Sequence, residues 1–217
     1  MINEKVAALL NEQINKEIYS AYLYLDMSNY FDARGLDGFA KWYMVQAREE
    51  LDHALRIYRY MQDNDSAVTL LAIEQPSRGY DNTLDVLNTA LEHEESVTNS
   101  IHTIYCEADK QHDLRTMEFL QWFINEQGEE ETNARDLITK LRIFANDGKG
   151  LYLLNQELGE RELWDKKEQG RFLALFYFFM PPNWKNGRIY LSSILRKSIL
   201  EKFPDMKMRY SFFVTPL

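Results

Sequence analysis

The sequence predicts an all-α protein: a bundle of four long helices with one long crossover and a short fifth helix. Three observations predict it. Apolar residues recur at helical three- and four-residue steps over four stretches of nearly thirty residues each. The 217 residues include only nine Gly and five Pro, too few to break such stretches often. One connection is long enough to run the length of a bundle.

The elements follow in order. Helix A is predicted from about Asn3 to Arg34, closed by Gly35, which tolerates the positive φ of a helix C′ position. Helix B, about Asp37 to Asn64, follows after almost no loop, so A and B form an antiparallel hairpin. Residues 65–82, with Pro76, Gly79 and Asp81-Asn82, read as the connection to helix C, about Thr83 to Asp109. Asp113 can cap helix D, which runs to about Ala145, and a short fifth helix spans about Lys149 to Leu158. Helices of ~28 residues are ~42 Å long, whereas an extended connection of ~18 residues reaches ~55 Å. C is therefore free to lie parallel to B.

Composition changes near residue 170. Residues 171–217 carry eight Lys and Arg against two Asp and Glu, whereas residues 1–170 carry seventeen against thirty-two. Four of the five prolines and seven of the twelve phenylalanines also fall in this tail. Two domains are expected: the bundle over 1–165, and an atypical basic, aromatic extension over 166–217. The extension's composition is that of readthrough or a shifted frame; the alternative is a genuine cationic segment for a membrane surface, a partner or the inside of an assembly.

A formal net charge of −9 argues against general binding to nucleic acid, which needs basic surface. The longest apolar run, Phe172 to Met180, is nine residues, too short to span a bilayer as a helix. The single cysteine, Cys106, forms no internal disulfide, and the first residues lack a signal-peptide pattern, so a cytoplasmic location is expected.

Each predicted helix carries a carboxylate on the stripe that should be apolar. On A the stripe reads Leu10, Ile14, Glu17, Ala21, Tyr24, Ser28; on B it reads Phe39, Tyr43, Gln46, Glu50, His53, Ile57, Tyr60. On C it reads Leu84, Leu87, Leu91, Glu94, Thr98, Ile101, Tyr105, and on D Phe119, Phe123, Glu126, Glu130, Asn133, Leu137, with Gln127 and Glu129 at its flanks. All these acids lie near mid-helix, the level at which four helices of an up-down-down-up bundle meet. One glutamate on a stripe is usually a boundary residue reaching water. Four at one height, with no Lys or Arg on those levels, would repel and lose hydration at a cost of several kcal/mol per ion. A cation is the simplest compensation, and an oxygen-rich set with one imidazole suits iron or manganese better than thiolate-seeking metals, although zinc also binds such sites.

Glu50-Leu51-Asp52-His53 is an E-x-x-H element that places both ligands on one helix face. With N-K-E-I-Y-S-A-Y-L-Y (15–24), R-E-E-L-D-H-A (48–54), L-E-H-E (91–94) and W-F-I-N-E-Q-G-E-E (122–130), the chain resembles the bacterial non-heme ferritins from its start to about residue 165. That resemblance implies a ferritin-like bundle, a homo-oligomeric shell of 24 subunits, oxidation of Fe(II) by O2 or H2O2 at a di-iron ferroxidase centre, and storage of ferric oxyhydroxide mineral. Carried over by position, it implies Glu17, Glu50 and His53 on the first iron, with Glu50 bridging. It implies Glu94 and Glu50 on the second, with Glu130 shared and Gln127 near enough to hydrogen-bond. Glu49, Glu126, Glu129 and Glu130 match a third iron site, whose geometry Gly128 puts in question because glycine loosens a helix. Tyr24 and Trp122 are each placed to donate an electron, and each is equally an ordinary core aromatic.

The second E-x-x-H of related oxidases is absent, which favours iron passing through over a fixed cofactor. No methionine stands at Leu51 or Asp52, so heme is not expected. His93, His102 and His112 are expected at the solvated surface, His112 with Asp113 offering at most an aid to iron entry. Two competing functions are a di-iron oxidase acting on an organic or peroxide substrate, and a non-catalytic helical assembly protein.

Overall fold

The computed structural model describes residues 2–76, 79–145 and 147–161, together with two short strands further on. It divides into a unit over Met1–Leu163 and a second over Trp164–Leu217. Among the described residues, the first holds five helices: α1 (Glu4–Asp32), α2 (Asp37–Asp63), α3 (Thr83–Lys110), α4 (Leu114–Phe144) and α5 (Gly148–Leu158). Of the second, the described part is a parallel pairing of β1 (Ile189–Tyr190) with β2 (Phe212–Phe213), Ile189 opposite Phe212. The role expected of the basic tail falls outside the described residues. Among the described residues, no helix is long and apolar enough to cross a membrane.

Helix ends follow local chemistry. Asn3, Asn82, Asp113 and Asp147 each accept a backbone N–H of the first turn they precede, and each such cap is worth about 1 kcal/mol. Gly35 adopts φ +69°, and the amide of Leu36 returns to the Phe31 carbonyl, as in a Schellman-type stop. α2 has no side-chain cap from its own residues. Its cap comes from α5: Asn155 Oδ1 accepts the amides of Gly38 at 2.9 Å and Phe39 at 3.2 Å. A Cβ at Gly38 would fall 1.6 Å from the Asn155 carbonyl oxygen, so this close approach requires glycine.

The path of the crossover is recorded by its contacts with α1. Asn11 exchanges two hydrogen bonds with the backbone of Thr69, and Tyr80 packs edge-on against Tyr30 at 5.3 Å. Between Asn11 and Tyr30 the connection climbs about 28 Å of helix. α3 therefore starts at the end of the bundle opposite to where α2 stops, and runs parallel to it.

The core is two apolar clusters separated along the bundle. One gathers Met27, Phe31, Phe39, Tyr43, Val86, Leu87 and Leu137 with Leu154 and Leu158 of α5. The other gathers Val6, Leu10, Ile57, Met61, Ile101, Ile104, Leu120 and Phe123. Between the residues of these clusters on each helix lie Glu17, Glu50, Glu94, Gln127 and Glu130.

The predicted stripes of α1 and α2 match the buried faces, save that Tyr60 is half-buried. Those of α3 and α4 are rotated slightly. On α3 the buried face takes Val86, Ala90, Val97 and Ile104 in place of Leu84, Leu91, Thr98 and Tyr105. On α4 Gln127 is buried, Glu126 half-buried and Asn133 exposed. The cause is that each of these helices packs on two neighbours, and a fixed alternation of steps drifts from the true 3.6-residue turn.

Candidate metal centre

The acidic level is built from one turn of each long helix. Glu17, Tyr24, Glu50, His53, Glu94, Gln127 and Glu130 are all at most 5% exposed. Glu17 from α1 meets Glu50 and His53, one turn apart on α2, so that each offers a ligand atom within 4.8 Å of the other two. His53 Nδ1 lies 3.5 Å from Glu50 Oε2, and its Nε2 lies 3.9 Å from Glu126 Oε1. The imidazole is edge-on to Trp122 at 5.3 Å, and Arg56 stacks over that indole at 4.1 Å.

Glu94 and Glu130 face the same level from α3 and α4. The Tyr24 hydroxyl donates to Glu94 Oε1, and Gln127 Nε2 donates to Glu94 Oε2 at 3.0 Å. Gln46 Nε2 donates to Glu130 Oε2 at 2.8 Å. Gln13 Nε2 donates to Glu17 Oε1 at 2.8 Å, while Ser100 donates to Gln13 Oε1 at 2.6 Å. Gln13 and Gln46 were not singled out in the sequence as site residues. Their signal was available: each stands one helical turn before a glutamate of the level, at Glu17 and Glu50.

The proposed third-site residues are not gathered equally. Glu49 and Glu126 are half-buried, and Glu129 is exposed. Gly128, between them, sits in unbroken helix with open space around it.

His93 corrects the sequence expectation of a solvated surface residue. Its Nε2 lies 2.7 Å from Ser20 Oγ, and its ring is edge-on to Tyr24 at 6.0 Å and tilted to Tyr19 at 5.9 Å. Burial pushes its pKa down to about 4. Ser20 Oγ also lies 3.0 Å from the Lys16 carbonyl oxygen, so it links the imidazole to the α1 backbone. Position off the stripe misled because α3 also packs on α1, which covers a second face.

Electrostatics sets this level apart. Burial, and then the Glu50 carboxylate, raise Glu17 to about 8. Burial and Glu130 raise Glu94 to about 7, and burial with the neighbouring carboxylates Glu94 and Glu130 raises Glu50 well above the ordinary range. Without a cation this level keeps protons up to the neutral range, since charge is costly where water is excluded and like charges adjoin. At this level, Glu17 Oε2 and Gln46 Oε1 are buried and receive no N–H or O–H from the described residues. Glu17 and Glu50 share a proton in the metal-free level, and with His53 beside them their ligand atoms converge as a cation would need. Hard oxygen donors with one imidazole therefore fit a divalent metal such as Fe(II).

A family model described as a ferritin-like domain matches residues 7–144. The chain belongs to the ferritin family. Iron storage is the function that membership carries. Among its relatives, the bacterial non-heme ferritin of Campylobacter jejuni is 40% identical over 167 residues, 77% of this chain and all of that protein. A probable bacterial non-heme ferritin-like protein of Haemophilus influenzae is 38% identical over 159 residues, 73% of this chain and 96% of the relative. Among solved structures, an open pore ferritin from Archaeoglobus fulgidus superposes with a TM-score of 0.73 at 43% identity, covering 75% of this chain and all of that one.

Proposed function

We propose that this ferritin-family chain is a ferroxidase that oxidises Fe(II) at its acidic level and stores the ferric product inside a 24-subunit shell. The observation that carries this reading is the buried Glu17, Glu50 and His53 group, whose ligand atoms lie within 4.8 Å of one another. In this reading Glu17, Glu50 and His53 hold one Fe(II). Glu50 also reaches a second, held by Glu94 and Glu130, while Gln127 hydrogen-bonds at Glu94. Each substrate iron gives up one electron, and one O2 or H2O2 takes up both electrons with two protons.

The chain's residues serve that chemistry by position and charge. Gln13 orients Glu17, Gln46 orients Glu130, and Tyr24 and Gln127 orient Glu94. Two divalent ions replace the protons held by the raised carboxyls, so binding releases protons. Tyr24, hydrogen-bonded to a ligand, is the better placed of the two candidate electron donors; Trp122 touches His53 instead.

Shell assembly is supported by exposed apolar side chains on two surfaces. Tyr22, Leu25, Leu51 and Leu55 lie on the outer sides of α1 and α2, and Phe144, Tyr152 and Leu153 lie at the α4–α5 end. Large exposed apolar groups in clusters mark contact surfaces.

Addition of Fe(II), well above two equivalents per chain, to metal-free protein in air tests the whole reading. Rapid oxidation that continues past two equivalents and stays soluble in a large particle is expected. Oxidation that stops at two irons in a small oligomer would point to an oxidase of another substrate, and none above background would sink the ferroxidase.

A further inference from the structure

Beyond α5 the chain returns to the metal level. Asn155 caps α2 at Gly38 and Phe39, and Lys41 Nζ donates to the Gly159 carbonyl at 2.7 Å. Arg161 then lies over the Trp42 ring at 4.0 Å and donates from Nη2 to Glu49 Oε2 at 2.6 Å. The segment 155–161 is thus laid along α2 from residue 38 to residue 49, and its last contact is with a carboxylate beside the metal ligands.

This guanidinium holds a carboxylate that the resemblance assigns to a third iron. Glu49 borders Glu50, and its electrostatic neighbours include Glu126 and Glu130. The pair is only partly exposed, 18% for Arg161 and 30% for Glu49, so it is screened less than a surface ion pair. Yet Arg161 is not fully satisfied there: Nη1 is buried without a partner among the described residues. One strong charge-assisted bond, one aromatic stack and one unmet donor describe a cation that holds the carboxylate and can be displaced from it.

We propose that Arg161 is a built-in competitor of iron for Glu49. Its charge neutralises Glu49, so the centre takes two Fe(II) tightly and a third only when the guanidinium gives Glu49 up. The stack on Trp42 gives the released arginine a place to stay, and the anchors at Asn155 and Lys41 keep it within reach. Specificity for a two-iron rather than a three-iron centre is then set by the residue that follows α5, not by the four-helix bundle. This inference rests on the iron-binding reading above.

Calorimetric titration of the metal-free, full-length protein with Fe(II) under anaerobic conditions tests it. The wild type is expected to show two tight equivalents and a weak third. Arg161→Gln should keep the first two and tighten the third about tenfold or more, the loss of one hydrogen bond to a charged group. Adding Glu49→Gln to that variant should abolish the gain, which a merely structural role for Arg161 would not require. An unchanged or weaker third equivalent in Arg161→Gln, or an equal gain in the double variant, overturns the proposal. Arg161→Lys keeps the charge but loses the planar fork and is expected to give a smaller gain. If Arg161→Gln does not fold by circular dichroism, the lysine variant decides, and no gain there overturns the proposal. No tight equivalent in the wild type would instead overturn the iron-binding reading itself.

Discussion

The bundle is apolar at both ends and acidic between them, and the two kinds of region are held by opposite physics. In the end clusters, Phe31 is fully buried, stacked on Phe39 at 4.9 Å and Tyr43 at 5.6 Å, and its burial is a direct gain in stability. In the middle, Glu17, Glu50 and Glu94 are equally buried but hold raised pKa values. The comparison teaches that burial alone does not identify core. The middle level buries carboxyls at a cost in the metal-free protein and brings the ligand atoms of Glu17, Glu50 and His53 together, while the ends hold the four helices in register.

The sharpest way to break this comparison is Glu50→Ala. Iron oxidation should fall to the uncatalysed background, while the thermal stability of metal-free protein stays level or rises by about 1–3 kcal/mol, because a buried polar carboxyl crowded by Glu94 and Glu130 is removed. Strong destabilisation of the metal-free form would assign Glu50 to a structural network instead. Phe31→Ala should show the reverse pattern, costing about 3–5 kcal/mol in a denaturant titration while oxidation per folded chain persists.

Gly38→Ala tests the junction that α5 makes with the bundle. The added methyl meets the Asn155 carbonyl oxygen, and overpacking of this kind costs about 1–3 kcal/mol. Protease sensitivity after Phe144 should increase. If it does not, α5 is held by Leu154 and Leu158 alone.

The pH response separates the regions without mutation. Glu17 titrates near 8 and Glu94 near 7 in the folded chain, against about 4.5 when unfolded. Between those values the native state binds protons that the unfolded state has lost, so their contribution to metal-free stability is full below about 4.5. It declines as pH rises towards 8. Melting of metal-free protein should thus be higher at pH 6 than at pH 8, and Fe(II) binding should run the other way. A rise in metal-free melting temperature over this range would contradict the protonated acidic level.

The smallest effect is expected at Gly128→Ala. Nothing lies within 4 Å of the added methyl, the site is exposed helix, and alanine should add about 0.5–1 kcal/mol. Two-iron stoichiometry should be unchanged. A lost equivalent would show that looseness at this turn matters to the ligands beside it.

Much of this was legible in the linear chain. Helix ends were marked by Asn3, Gly35 and Asp113, whose preferences are local. The acidic level was visible because Glu17, Glu50 and Glu94 fall on stripes whose other members are apolar, an inconsistency that needs no tertiary information to detect. His93 was misplaced because its burial comes from Ser20, Tyr19 and Tyr24 of another helix, and no periodicity within α3 reports that.

What the sequence determined by itself is the set of helices, the length that lets the crossover climb the bundle, and the presence of an acid on the otherwise apolar stripe of every long helix. These depend on interactions within a few residues or on counting. Only the tertiary structure decided that Gln127 rather than Glu126 turns fully inward, that Asn155 caps a helix 117 residues away, and that Arg161 reaches Glu49 across 112 residues. Such contacts depend on how helices rotate and dock against several neighbours at once, and a one-dimensional pattern carries the face of each helix but not the partner it will meet.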